Sequence, residues 1–541
     1  MFQEWRGQTI PGLLRYGAST WPDRIAVDDG TEQINYATLA QRSARMRNAL
    51  LELGIGRGDH VAYLLPSGIR WLEIFFATSA LGAVLVPLNL TWTSEEIIQG
   101  LTLTDAKVLL VASEYRGASL IERIQPLTDR GASGMTPALR RIVLAQGDAD
   151  GSGLDSLERH LTAALPPQAP EAPSPAAPDD TALLILTSGS TSFPKPAIHT
   201  HETVLCGSAG YADGLEVHAD DIFLHCMPNY HVGSIATACL TLMRGARLEL
   251  MSFFEPGEAL RRIHKSQATL FWGFDTHFLM MRDHPDYAPG LLSSLQRTMV
   301  AANPATFEKV RAMGLGHIGS LYGSTEYMGS QTYFPFRDRA DEARMKASNG
   351  RATSGEIRIA NPAGDGWAAP GELGEICAKG PALFKGYYGQ PEASAACMDQ
   401  EGFFHSGDLG FLDEDGYLYY RGRLKEMIKS GGENVSALEV ETFLLTEIPG
   451  IARAMICATL HPKWGEAVTA LLEVEAGRAY STADIQALCR NRLAGYKIPK
   501  RVLFLAGSEW PITPTGKLDR RTLATRAMSH YANAEDPEST I

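Results

Sequence analysis

The chain has 541 residues, 45% of them hydrophobic and 21% charged, enough for a large buried core and three or four units of roughly 150 residues each. Its net charge of −13 argues against a general nucleic-acid binder but leaves room for a local basic groove around a small polyanion. Seven cysteines lie dispersed with no C-x-x-C pair, which suits reduced thiols in a cytoplasmic protein better than a disulfide framework or a zinc site.

Residues 1–10 carry charge and no apolar core, so no signal peptide is expected. Apolar residues at helical spacing (Leu39, Met46, Ala49, Leu50, Leu53) predict a helix stopping at Gly54. The most apolar stretch, 74–88, is shorter than the ~20 residues of a membrane-spanning helix and contains Thr78, Ser79 and Pro87. It predicts a buried helix ending near Gly82 and a strand over 84–86, with no membrane partner. Segments 60–65 and 108–112 read as apolar strands between helical patterns, which predicts a layered α/β domain with a largely parallel sheet. Residues 165–180 hold six prolines and predict a stiff, exposed linker.

The apolar run 182–186 then empties into Thr187, Ser188, Gly189, Ser190, Thr191, Ser192, Phe193, Pro194 and Lys195. Glycine permits a tight turn with N–H groups facing inward, the hydroxyls add donors, and lysine adds a point charge, so the stretch reads as a phosphate-binding loop. It is not the common P-loop, because Pro194 and Pro196 flank the lysine and forbid the helix that would follow it. A second extended piece near Ala197 and Ile198 is expected instead.

A further strand-helix series runs from 222 to about 333, placing His225 to His231 and Tyr322 to Glu326 just after apolar runs, where open α/β sheets present binding residues. Between 355 and 423 glycine-rich short strands and an Asp415-Gly416 turn predict a small β subdomain with a hairpin. From 424 the pattern resets. Ser436 and Glu439 form a capping-box pair opening a helix, strands are expected over 454–458 and 468–472, and a helix over 484–493. Gly314-Leu315-Gly316-His317-Ile318-Gly319 matches a dinucleotide fingerprint, but a helix precedes it and a strand follows, the reverse of the required context. His199 and His201 lack further ligands at metal-binding spacing and read as structural.

Taken in order, residues 187–195, Pro228 to His231, Tyr322-Gly323-Ser324-Thr325-Glu326, Ser406-Gly407-Asp408, Gly422-Arg423 leading into Gly431-Gly432-Glu433-Asn434, and Thr515-Gly516-Lys517 form an ordered set. This set closely resembles the adenylate-forming superfamily of acyl-CoA synthetases, peptide-synthetase adenylation domains and beetle luciferases, over nearly the whole chain. The resemblance implies a large N-terminal adenylation domain, 1–423, of layered α/β subdomains plus the small β subdomain, and a small mobile α+β C-terminal domain, 424–541. It implies that a carboxylic acid attacks the α-phosphate of ATP to give acyl-adenylate and pyrophosphate, and that a thiol then takes the acyl group. ATP, Mg²⁺ and CoA are the implied cofactors, and fatty or aromatic acids the implied substrates.

By the same resemblance Thr187, Ser188, Gly189, Ser190, Thr191 and Lys195 would close over the β- and γ-phosphates. Thr325 would contact the α-phosphate and Glu326 would hold Mg²⁺. Asp408 suits the ribose hydroxyls, with Arg423 reinforcing that end, while Tyr322, Gly323 and Asn303 would line the nucleotide. His231 would sit near the substrate carboxylate, and Lys517 would neutralise charge where carboxylate meets α-phosphate. Lys425 occupies the hinge position, and rotation there would bring up a thiolation face around Gly431, Gly432 and Glu433, with Lys497 in a basic segment suited to CoA phosphates. Ser192 and Pro196 stand where the family usually has glycine, and Ala301-Ala302-Asn303-Pro304 replaces its Gly-Gly-Ala-Pro or Gly-Ala-Ala-Pro.

The alternative acceptor is a carrier protein, with Asp275 in the region where peptide-synthetase domains hold a substrate amine. A weaker alternative is a nucleotide-binding protein without catalysis, against which the intact Lys517, Glu326, Asp408 and Arg423 stand. A homodimer is an open option, and acyl-pocket residues are expected around 230–237, 274–278 and 327–331.

Overall fold

The computed structural model describes residues 2–129, 136–148, 153–187 apart from 164–174, 194–301, 304–361, 364, 366–430, 433–490, 492–513 and 517–532. Two seven-stranded sheets form the large N-terminal part. In one the strand order is Ile318–Gly319, Arg297–Ala301, Leu270–Phe274, Ile222–His225, Arg247–Leu250, Ile25–Asp28 and Gln33–Asn35, parallel except for the last pair. In the other it is Pro196–Thr200, Thr181–Leu186, Val84–Pro87, His60–Leu64, Val108–Ala112, Arg141–Gln146 and Asp155–Ser156, parallel except for the first pair.

Parallel strands need helical crossovers, so both faces of such a sheet are covered and its strands read as unbroken apolar runs. Val108–Ala112 is buried at every residue for this reason. The helix Ile69–Ala80, buried at every position except Arg70, lies inside the main core, and Gly82 takes φ +66° just beyond it. The apolar stretch 74–88 is therefore interior helix and strand, and among the described residues no helix is long and apolar enough to cross a membrane. Pro196 opens an edge strand, where a missing N–H disturbs the ladder least.

A four-stranded antiparallel sheet follows, ordered Glu356–Ala360, Gly374–Lys379, Phe404–Leu412 and Leu418–Arg423, with Gly416 at φ +78° in the expected hairpin turn. The single turn Leu424–Glu426 leads into a smaller C-terminal domain built on a five-stranded sheet. That sheet has its own cores, one around Val435, Val440, Leu444, Ile456 and Leu472, another around Met455, Leu471, Trp510 and Leu523.

Local details there differ from the sequence pattern. The strands Ile451–His461 and Gly465–Val474 extend well past the expected segments, because a two-stranded core ladder keeps pairing beyond its most apolar centre. The helix expected over 484–493 is Thr482–Cys489, stopped where Arg490 turns extended at ψ 143°. Only half of the expected capping box forms: Ser436 Oγ accepts from Glu439 N at 3.3 Å, while the Glu439 carboxylate is taken by Lys497 Nζ at 2.6 Å.

Candidate active site

In a parallel sheet every strand delivers its following residues to the same edge. His225, Phe274 and Ala301 end three adjacent strands, and Tyr322 follows the fourth, so His231, Phe274 and the Tyr322–Glu326 segment converge there.

At one end Asp408 and Arg423 are cross-strand partners, and Arg423 Nε lies 3.2 Å from Asp408 Oδ1. Tyr322 Oη donates to Asp408 Oδ2 at 2.7 Å, and the Tyr322 ring stacks on Tyr420 with centroids 5.7 Å apart. Burial pushes the Asp408 carboxyl up, against the opposing pull of Tyr322 and Arg423. The bend beside it is propped by Glu375, whose Oε1 accepts from Gly407 N at 2.8 Å while Oε2 pairs with His405 Nδ1 at 2.8 Å. This corner offers a buried, oriented acceptor beside a half-exposed guanidinium, suited to paired hydroxyls.

Glu326 sits on the tight turn Thr325–Tyr327. Gly323 permits that turn, since a Cβ there would lie 1.6 Å from Gly329 O. Buried His199 donates from Nε2 to Thr325 O at 2.8 Å, and burial draws its pKa down to about 4. Tyr387 Oη donates to Glu326 Oε1 at 2.8 Å, and Lys195 Nζ lies 4.9 Å from the Tyr387 ring centroid. The base of the 187–195 loop is closed by Thr187 N to Lys195 O at 3.0 Å and Lys195 N to Thr187 Oγ1 at 3.2 Å. Tyr387 thus links lysine, loop base and carboxylate.

The third part comes from the C-terminal domain. Lys517, an exposed residue overall, sets its Nζ 4.8 Å from the Phe274 ring centroid. Surrounding protein and the charge of Arg423 hold its ammonium below the ordinary lysine range. His231 precedes the helix Val232–Leu242, and its buried Nε2 has no hydrogen-bond partner among the described residues. Burial, then the Lys517 charge, lowers its pKa to about 3, so the ring is neutral at pH 7.

Several expected site residues lie outside the described residues: Ser188, Gly189, Ser190, Thr191, Asn303, Gly431 and Gly432, with Ser192 among the departures. Lys425 lies in the turn Leu424–Glu426, Glu433 is exposed on Glu433–Ser436, and Lys497 is paired with Glu439. Sequence reasoning missed Tyr387, Tyr420, Glu375 and the support His199 gives to Thr325. No spacing announces these contacts, which join residues 61, 98, 32 and 126 positions apart.

The family model for an AMP-binding enzyme matches residues 14–388, and that for the AMP-binding enzyme C-terminal domain matches 439–517. The chain belongs to this adenylate-forming acyl-CoA synthetase superfamily. It is 33% identical to a feruloyl-CoA synthase of Amycolatopsis sp, covering 94% of this chain and 98% of that one. It is 30% identical to the long-chain-fatty-acid–CoA ligase FadD13 of Mycobacterium tuberculosis, covering 95% and 98%. Among solved structures, ATP-bound MatB from Rhodopseudomonas palustris superposes with TM-score 0.82 at 25% identity, covering 96% of this chain and 99% of that one.

Proposed function

We propose that this protein is an ATP-dependent acyl-CoA synthetase, an AMP-forming ligase of a carboxylic acid and CoA. A carboxylate oxygen of the acid attacks the α-phosphorus of ATP, the bond to the β-phosphate breaks, and pyrophosphate leaves. The CoA sulfur then attacks the acyl carbon, the thiol proton passes to solvent, and AMP leaves.

The observation that carries this reading is the approach of Lys517, from one domain, to Phe274 and His231 of the other, beside Arg423. A cation held there with no carboxylate partner among the described residues suits the negative charge that develops between acid and α-phosphate. Neutral His231 can donate or accept one hydrogen bond without adding competing charge. Asp408 and Arg423 would hold the ribose, Tyr322 and Gly323 the base side, and Thr325 the α-phosphate. Thr187 and Lys195 would anchor the loop over the outer phosphates.

Mg²⁺ takes oxygen donors and is commonly held by one or two carboxylates plus substrate phosphates. Glu326, oriented through Oε1 by Tyr387, is a donor of the right kind. When bound, the ion would offset phosphate charge. We assign the domain boundary to 423/424 and the hinge to Lys425, with rotation presenting Glu433 and the Lys497 segment to CoA. Lys497 must then exchange Glu439 for a CoA phosphate. Seven cysteines without disulfides favour a cytoplasmic location.

The test is acid-dependent release of AMP and pyrophosphate from ATP, followed by formation of the acid's CoA thioester. Adenylation with no thioester on CoA, but with transfer to a carrier protein, would replace the acceptor. Absence of any acid-dependent turnover would overturn the reading.

A further inference from the structure

The acid end of the site has a visible floor. Phe274, which carries the Lys517 ammonium, and Trp272 share one face of the strand Leu270–Phe274. The two positions are separated by about 6.6 Å, one side-chain repeat of a strand. The helix Val232–Leu242 meets this face at Gly233, and an acyl group anchored at Lys517 and His231 would extend toward that contact.

Trp272 fills that contact. A Cβ on Gly233 would lie 1.9 Å from Trp272 Cη2 and 2.3 Å from Cζ3, so the indole rests directly on the helix backbone and only glycine allows it. On its flank His225 stacks at 6.0 Å and 26°, and is itself fixed by Nε2 to Ser234 Oγ at 2.7 Å. Burial lowers the His225 pKa to about 3, so this backing is neutral. Gly329 also neighbours this helix start, where a Cβ would make ordinary contact with Val232 Cγ1 at 3.5 Å and Gly233 Cα at 3.8 Å. Trp272 is 7% exposed, and its Nε1 has no hydrogen-bond partner among the described residues.

We propose that Trp272 is the specificity-determining floor of the acyl site, restricting the acid to a short chain or a single ring. This rests on the ligase reading above. The indole stands one strand repeat from Phe274, which carries the Lys517 ammonium, so a long alkyl chain extending along this face would meet it where a short chain or one ring would not. A large aromatic locked between a fixed imidazole and a helix backbone cannot swing aside without repacking both neighbours.

The test uses the full chain with ATP, CoA and four acids: propanoate, benzoate, octanoate and decanoate. The unmodified protein should favour propanoate or benzoate over decanoate by about 100-fold or more in kcat/KM, since each misfitted methylene costs roughly tenfold or more. Trp272→Gly should raise the decanoate-to-propanoate ratio by at least about tenfold, while Trp272→Phe, which keeps most of the bulk, should hold the original ranking. Should Trp272→Gly fail to fold by circular dichroism, Trp272→Leu serves with the same expected direction. Comparable turnover of decanoate by the unmodified protein, or an unchanged ratio in folded Trp272→Gly or Trp272→Leu, overturns the floor while leaving the ligase intact. No activation of any acid overturns the ligase reading, and the floor with it.

Discussion

The Asp408–Arg423 end and the Lys517 end of the candidate site are built differently. Asp408, Arg423 and Tyr322 are bonded to one another within the large domain, along one antiparallel pair and one buried hydroxyl. Lys517 reaches its place from the other domain and meets a ring face, while His231 Nε2 has no hydrogen-bond partner among the described residues. The first end is preformed and its geometry travels with the sheet. The second exists only while the domains are docked this way, which suits a group needed in one half-reaction and not in the other.

The largest expected break in that comparison is Lys517→Ala. It should cut acid-dependent pyrophosphate release by about 10²–10³-fold, the cost of one preorganised electrostatic group. Thioester formation from supplied acyl-adenylate should stay close to that of the unmodified protein. Equal loss in both half-reactions would mean that the lysine is not confined to the docked state.

Asp408→Asn probes the preformed end. Losing charge-assisted bonds of about 1.5–3 kcal/mol should raise the KM for ATP by roughly tenfold to a hundredfold without changing the ranking of acids. A shifted acid ranking would show that the two ends are not independent.

Between them lies Tyr387, which joins Lys195 to Glu326. Tyr387→Phe removes one hydrogen bond worth about 1 kcal/mol, so the Mg²⁺ concentration for half-maximal rate should rise about fivefold. An unchanged Mg²⁺ dependence would remove Tyr387 from the positioning of Glu326.

The smallest effect is on pH dependence of stability. His199, His225, His231 and His317 are held neutral by burial, with pKa values of about 3 to 4 against an ordinary 6.5. The unfolded chain gains protons below pH 6.5 that the folded chain refuses. Stability from this source is therefore complete above 6.5 and is lost as pH falls toward the folded values. Calorimetry should give a Tm that drops from pH 6.5 to 5, and His231→Gln should flatten the slope by up to about 1.4 kcal/mol per pH unit. A Tm insensitive to acid would mean that these rings are already protonated in the fold.

The α/β class and the motifs that carry the candidate site were legible in the order of residues. Glu326, Asp408, Arg423 and Lys517 stand in motifs whose residue types suggest a chemistry, and strand-helix alternation announced the α/β layering. Those features depend on neighbours in the chain, which the order of residues carries. The half-formed capping box at Ser436 was misjudged because Glu439 had a competitor, Lys497, 58 residues away.

By itself, then, the sequence determined the class of fold, the order of the motifs and the charges available for catalysis, since periodicity, turn residues and charged side chains act locally. Only the tertiary structure decided that Tyr387 orients Glu326, that His199 holds Thr325, that Lys517 lies over Phe274, and that Trp272 rests on Gly233. Those contacts are set by strand register and by the packing of elements distant in sequence, and shape complementarity between such elements leaves no mark on either one alone.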